Sequence, residues 1–333
     1  MKKKIAMLGA GAWGTAVATV LANNGHDVTL WCFECDVVDA IKKVHRNERY
    51  LPTIALNPSV TATNDLARAV ADADVIFEAT PIAFLRAVLL KAKPHVKPHV
   101  PWVVLSKGIE NDTLMLPSSI IQDVLGLTTN VAVVAGPTFA QELAQGKFSA
   151  AVVASDHAAL CNEIISLLAN AHFMLQSSND LLGVQVGGAV KNVIALAIGI
   201  ARGAKQTENT IAYLVTEGLA ELAKIIELFG GKKETAMSLA GLGDLVLTCM
   251  GTLSKNLRVG MMIGSGSCLH DIKAKPGIVL PEGVNTIKSL DELAGKKGIR
   301  LPLCRGAYEC IFEGKPFDVM LDLVRSAHNS GAL

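Results

Sequence analysis

A lysine in the middle of a long apolar run is the residue whose setting here most clearly asks for chemistry. Residues 181–201 carry one acidic or basic side chain, Lys191, in twenty-one positions. On a helix, Val184, Gly187, Gly188, Lys191, Asn192 and Ala195 share one face at spacings of three and four. Glycines beside a lysine let a ligand or a second backbone come close. Apolar surroundings strip the ammonium of solvent, which lowers its pKa and suits it to proton transfer near neutral pH. The competing reading is a lysine that pairs with one buried carboxylate, or reaches solvent, and does nothing else. A carboxylate is at hand in Ala240-Gly241-Leu242-Gly243-Asp244-Leu245-Val246-Leu247-Thr248-Cys249, where Asp244 stands between a glycine-rich turn and an apolar run. It could orient Lys191 or hydrogen-bond a substrate hydroxyl; a helix N-cap is the alternative.

Three further segments could bind charged groups. Ser106-Lys107-Gly108 puts a cation at the end of an apolar run. Gly136-Pro137-Thr138-Phe139-Ala140 reads as the opening of a short helix whose backbone N–H groups could meet an anion. Gly9-Ala10-Gly11-Ala12-Trp13-Gly14 has the glycine spacing of a dinucleotide turn. A strand precedes it and an uncharged helix follows, which is the context the pattern needs. Gly9 permits the turn, Gly11 lets the backbone approach a pyrophosphate, and Gly14 lets helix pack on strand. Glu34 lies about twenty residues on, where an acid usually reads the adenosine ribose. Its carboxylate would favour NAD over a 2′-phosphate. The bland alternative is a solvated Glu34, with Phe33 only stacking near the adenine.

These residues need elements to hold them, and the first half of the chain supplies strands. Ile5–Leu8, Val28–Trp31, Val75–Thr80, Val103–Ser106, Val131–Ala135, Ala150–Ala154 and, more weakly, Met174–Gln176 read as strands alternating with helical patterns such as Thr15–Asn24. That alternation signals a parallel sheet. From about Asp180 the period changes. Leu181–Ala201, Thr210–Phe229, Lys232–Ala240, Leu253–Ile263, Val284–Lys297, Leu303–Phe312 and Phe317–Arg325 read as helices, with no convincing strand among them. The expected fold is α/β, an N-terminal Rossmann-like doubly wound sheet followed by an all-α C-terminal domain. The expected domains are residues 1–179 for the dinucleotide and 180–333 for substrate and catalysis.

Composition narrows the classes. At 333 residues two domains are the natural expectation, and a 50% hydrophobic, 18% charged chain buries large surfaces. A net charge of +1 without a basic stripe gives no footprint for nucleic acid. Seven scattered cysteines suit reduced thiols better than a disulfide framework. Cys32-x-x-Cys35 has no second pair, and His95 and His99 are separated by Pro98 and preceded by Pro94, which excludes a helix, so no metal site is expected. Leu181–Ala201 is long enough to span a bilayer. Its Gly and Ala content, Gln185, Lys191 and Asn192, and the lack of an aromatic belt favour a buried core helix without stable membrane insertion. Lys2-Lys3-Lys4 runs directly into a strand without a signal peptide's apolar segment, so a cytoplasmic protein is expected. A homodimer is the guess the apolar helical half suggests.

Taken together, Gly9–Gly14, Ser106-Lys107-Gly108, Gly136–Leu143, Gly183–Val193 and Ala240–Cys249 closely resemble the bacterial-type NAD(P)-dependent glycerol-3-phosphate dehydrogenases, in the family's order and across almost the whole chain. Gly183–Val193 and Ala240–Leu245 are the most specific of these segments, and the nucleotide turn the least. The resemblance implies reversible hydride transfer between NAD(P)H and dihydroxyacetone phosphate, giving sn-glycerol 3-phosphate for glycerophospholipid synthesis. It implies Lys191 as general acid/base, with Lys107 on the oxygen under attack and against both substrate and cofactor. It places Gly136, Thr138, Asn192, Asp244 and Thr248 at the substrate. Ala12, Trp13, Phe33, Ala140, Leu280 and Glu282 fall at cofactor positions. The family usually has Ser-Arg-Asn where this chain has Ser254-Lys255-Asn256, the central residue serving phosphate and cofactor. A lysine neutralises phosphate but cannot grip it bidentately, so weaker substrate binding is expected. Ile211 and Glu217 stand where basic residues are common, in a region whose Ala204–Thr210 stretch also departs from the glycine-rich pattern. Phe33, where a polar or basic residue is common, joins Glu34 in mildly favouring NAD, though some members use both cofactors. A β-hydroxyacid or 6-phosphogluconate-type dehydrogenase is a rival reading, disfavoured by the Gly136–Thr138 and Asp244 segments. A non-catalytic dinucleotide sensor would have no need of Lys191.

Overall fold

The computed structural model describes residues 2–126, 130–275, 277 and 279–329. The chain forms two compact units, Met1–Ser106 with Pro117–Leu181, and Lys107–Leu116 with Leu182–Leu333. Lys107, which the expected boundary near residue 180 assigns to the nucleotide half, therefore groups with the helical residues.

The first unit is built on one eight-stranded sheet: β1 (Lys4–Leu8), β2 (Asp27–Trp31), β3 (Val60–Thr63), β4 (Val75–Glu78), β5 (Trp102–Val104), β6 (Val131–Ala135), β7 (Ser149–Ala154) and β8 (Phe173–Ser178). Their order is β3-β2-β1-β4-β5-β6-β7-β8. Met7 pairs with Leu30 on one side and Phe77 on the other, so β1 is central. The chain winds outward from it in both directions, and the switch point lies between β1 and β4, where open α/β sheets hold ligands. Every residue of β4, β6 and β7 is buried, which is why these strands read as apolar runs, interrupted only by Glu78 at the end of β4 and Ser149 at the start of β7.

The Rossmann-like sheet and the helical second half agree with the sequence reading; three details differ. Val60-Thr61-Ala62-Thr63 forms an edge strand that carries no apolar run, since two of its four residues are threonines. β6 and β7 pair antiparallel, so the sheet is mixed rather than wholly parallel. The expected helix over Lys232–Ala240 is instead a 3-10 turn, Lys233–Met237, followed by a π-helical turn, Leu239–Gly243.

The second unit is helical. Its spine, Leu181–Gly203, is long and apolar enough to cross a bilayer, yet 94% of its most apolar 18-residue stretch is buried inside protein. It is a core helix, as expected. The helix Lys255–Gly264 lies against it through glycines spaced four apart on both sides. A Cβ at Gly199 or Gly260 would stand 2.3 Å from a carbonyl oxygen of the other helix, and one at Gly264 only 2.0 Å away. Bare backbones thus meet, and the start of the second helix is fixed relative to Lys191.

Candidate functional site

The nucleotide turn is shaped by contacts a side chain would break. Gly9 has φ +106°, and a Cβ there would lie 2.8 Å from the Ala79 carbonyl oxygen. One at Gly14 would lie 2.1 Å from the oxygen of Gly9. Both glycines are demanded by the protein itself. Gly11 is different: a Cβ there would meet nothing within 4 Å. Its bareness answers no packing need, and it fits a backbone that a pyrophosphate must approach. The helix Ala12–Asn23 begins there with no side-chain cap and no acid in its first turn, so its leading N–H groups suit an anion. Trp13 Nε1 and Thr80 Oγ1 are buried without a hydrogen-bond partner, and Thr80 follows Ala79 against Gly9. These observations fit a bound dinucleotide.

Glu34 follows β2, and its carboxylate accepts a hydrogen bond from Tyr50 Oη at 2.6 Å, so it is held rather than merely solvated. Phe33 is 79% exposed. Gly136 has a packing reason to be glycine, since a Cβ would lie 2.6 Å from Ala151 Cα on β7. Thr138 donates from its hydroxyl to the Gly136 carbonyl at 3.1 Å, and Ala140 opens the short helix Ala140–Ala144.

In the second unit three charged side chains converge. Asp244 is wholly buried at the head of the helix Asp244–Met250. One of its carboxylate oxygens accepts from Lys191 Nζ, and the other accepts from Lys107 Nζ at 3.2 Å. Asp244 makes no cap; it bridges the two ammonium groups. The preceding π-helical turn delivers it there: Gly243 N–H donates to Ser238 O at 3.2 Å, five residues back. That turn lies flat on the lysine helix, because a Cβ at Gly187 would be 2.4 Å from the Ala240 carbonyl oxygen. This is the close approach that the glycines beside Lys191 permit. Lys107 is tied in by its own segment. Ile109 and Leu116 are buried in the helical core, and Ser289 Oγ donates to Ile109 O at 3.2 Å.

The electrostatics follow from burial. Loss of solvent lowers the Lys191 ammonium from 10.5 to about 7; Asp244 opposes the shift and Lys107 reinforces it. Glu282, just before the helix Gly283–Lys297, is pushed up to about 7 by burial, against the pull of Lys107, Lys191 and Lys255. Asn192, one residue beyond Lys191, accepts at Oδ1 from Asn256 Nδ2 at 2.9 Å. Asn256 Oδ1 in turn accepts from Gly283 N–H at 3.2 Å, linking three helices. Ser254 Oγ caps its helix by accepting from Leu257 N–H at 3.2 Å. Thr248 donates to the Asp244 carbonyl one turn back at 2.6 Å. Of Ser254-Lys255-Asn256, Lys255 alone is exposed. Leu280 is half-buried against the helical core.

Comparison with known proteins decides the family. Residues 4–161 match the family described as NAD-dependent glycerol-3-phosphate dehydrogenase N-terminus, and residues 180–322 match its C-terminus. The chain belongs to this family. It is 40% identical over 324 residues to the glycerol-3-phosphate dehydrogenase, NAD(P)+, of Syntrophotalea carbinolica, covering 96% of this chain and 97% of that protein. To the enzyme of the same name from Bacillus subtilis it is 37% identical over 322 residues, 96% of this chain and 93% of the other. The crystal structure of glycerol-3-phosphate dehydrogenase from Coxiella burnetii matches with a TM-score of 0.92 at 33% identity, covering 97% and 99% of the two chains.

Two buried polar residues of this family member had not been expected. Asn47 is fully buried and donates from Nδ2 to the Ala10 carbonyl at 2.7 Å and to Thr15 Oγ1 at 2.8 Å, holding the nucleotide turn. Glu78, fully buried at the end of β4, accepts from Ser106 Oγ at 2.5 Å. An acid closing an apolar strand was a visible signal for Glu78. Asn47 gave none, lying in the polar stretch His45-Arg46-Asn47-Glu48-Arg49.

Proposed function

We propose that this chain reduces dihydroxyacetone phosphate with NADH or NADPH to sn-glycerol 3-phosphate, reversibly, as a source of glycerophospholipid backbone. The observation that carries the reading is the buried Lys191–Asp244–Lys107 cluster in a member of this family. The first unit would hold the dinucleotide, with Gly9, Gly11, Ala12, Trp13 and Gly14 around the pyrophosphate and Phe33 and Glu34 towards the adenosine. Ala140, Lys107, Lys255, Leu280 and Glu282 would complete the cofactor contacts. When bound, the reduced nicotinamide supplies the hydride.

The residues of the second unit then act on the ketone oxygen. Lys107 and Lys191 present two ammonium groups, and charge developing on the oxygen is stabilised where solvent is excluded. Lys191 donates its proton to that oxygen in reduction and recovers it from the hydroxyl in oxidation. A pKa near 7 lets it do both at neutral pH. Asp244 fixes both ammonium groups, and its buried carboxylate offsets one of their two positive charges. Asn192 and Thr248 would position the substrate hydroxyls, and Gly136 and Thr138 would also bind substrate. Lys255, at the N-terminus of its helix beside Ser254 and Asn256, would take the phosphate; the helix end adds its own attraction for an anion.

Reduced thiols suit a cytoplasmic location, and all seven cysteines are unpaired. A homodimer would cover Val246, Met250, Leu253 and Met261, apolar side chains exposed on the helical unit, and sedimentation would detect it. The test of the reaction is its product. Incubation with dihydroxyacetone phosphate and NADH should yield the sn-3 enantiomer of glycerol phosphate in step with NADH loss. NADH loss without that product would refute the assignment.

A further inference from the structure

The structure links the pyrophosphate turn to the residue at the far end of the adenosine half through two side chains the reaction itself does not use. Asn47 is buried beneath the turn, with Nδ2 on the Ala10 carbonyl and Thr15 Oγ1. Its Oδ1 accepts from the backbone N–H of Tyr50 at 3.1 Å. Tyr50 in turn donates from Oη to Glu34 Oε1 at 2.6 Å. Three hydrogen bonds thus run from Ala10, inside the glycine turn, to the carboxylate that follows β2.

We propose that Asn47 and Tyr50 are positioning residues that orient Glu34 as the discriminator between NADH and NADPH, so that cofactor choice in this protein is set by the Asn47–Tyr50–Glu34 relay. The inference rests on the dinucleotide reading above and goes beyond it by naming what selects the cofactor. A carboxylate only accepts hydrogen bonds. With Oε1 held by Tyr50, Oε2 remains to accept from the vicinal hydroxyls of an adenosine ribose. A 2′-phosphate, by contrast, would bring more than one negative charge against the same oxygen. Without its hydroxyl partner, Glu34 is a long side chain that can swing to water, and both the attraction and the repulsion weaken.

Two neighbours support the assignment. Burial and the adjoining Glu34 carboxylate hold the Tyr50 phenol above its ordinary value of 10.0, so it remains an O–H donor. Arg49, whose guanidinium lies 5.5 Å from the Tyr50 ring centroid, is itself paired with Asp36 at 3.4 Å. A cation beside the relay is therefore answered by a second carboxylate.

The test measures dissociation constants of NADH and NADPH by cofactor fluorescence, with no substrate present. The unaltered protein should bind NADH more tightly. Tyr50→Phe keeps the ring and removes the donor. It should weaken NADH about tenfold, the loss of one hydrogen bond to a charged group, while NADPH weakens less or tightens. Glu34→Gln should shrink the NADH:NADPH ratio further, and adding Tyr50→Phe to Glu34→Gln should not change the ratio again. Asn47→Ala should weaken both cofactors, since it also loosens the turn. A preference for NADPH in the unaltered protein, an unchanged ratio in Tyr50→Phe, or an additive effect in the double variant each overturns the relay while leaving the dehydrogenase reading in place. Failure of the unaltered protein to bind either cofactor overturns both.

Discussion

The proposed acid–base role of Lys191 rests on burial, reinforced by Lys107, which brings its ammonium within reach of neutral pH, while Asp244 keeps it from falling further. Two expectations follow at this scale. Lys191→Ala should lower kcat at least about 100-fold, the usual worth of a positioned acid–base group, and leave the NADH dissociation constant within about twofold. Retained turnover would remove Lys191 from its role. The pH profile has a definite sign. The group is protonated below about 7 and neutral above it. For reduction, which needs the proton, kcat/KM should therefore fall as pH rises through about 7; for oxidation, which needs the neutral amine, it should rise through the same range. Parallel limbs in the two directions would contradict the assignment. At the phosphate end, Lys255→Arg should lower KM for the phosphorylated substrate several-fold, roughly the gain from bidentate over single contact. An unchanged KM would mean that the phosphate is held elsewhere.

At the scale of elements, the site depends on helices brought together by missing side chains. Gly199 and Gly203 of the lysine helix meet Gly260 and Gly264 of the helix that opens at Lys255. Gly199→Ala would drive a Cβ to 2.3 Å from the Leu257 carbonyl oxygen. It should cost about 1–3 kcal/mol in denaturant unfolding and raise KM with it, because Lys255 moves relative to Lys191. Gly295, inside the helix Gly283–Lys297, meets nothing within 4 Å of its Cβ position. Gly295→Ala should therefore stabilise by about 0.5–1 kcal/mol without kinetic effect, and a loss of stability would show the space to be misjudged.

Elements with strong local signals were legible in the sequence. The central strands are buried on both faces and so read as apolar runs, and the lysine helix declared itself because one charge interrupts so long a stretch. Asp244 was legible for the same reason. What escaped were features made by partners distant in the chain. Asn47 reaches back 37 positions to Ala10, and Glu221 accepts from the N–H groups of Leu303 and Cys304, more than eighty positions on. The antiparallel pairing of β6 and β7 leaves no mark in either strand's composition. The π-helical turn before Asp244 looks in the sequence like an ordinary glycine-rich loop, because its i−5 bonding belongs to the packing of Ala240 on Gly187 rather than to local propensity. Lys107 reads as the end of a strand, yet its segment folds with the helical unit because Ile109 and Leu116 are apolar enough to join that core.

At the scale of the whole molecule, a dinucleotide-binding sheet and a helical unit with a lysine–aspartate–lysine cluster would together reduce a phosphorylated ketone. The measurement that bears on it most directly is NADH oxidation by the purified protein with dihydroxyacetone phosphate, unphosphorylated dihydroxyacetone and simple 2-keto acids, side by side. The phosphorylated ketone should be turned over far faster than the other two, by at least about 100-fold in kcat/KM, since binding energy from the remote phosphate is used at the reacting centre. Equal rates with and without the phosphate, or a preference for a 2-keto acid, would contradict the account.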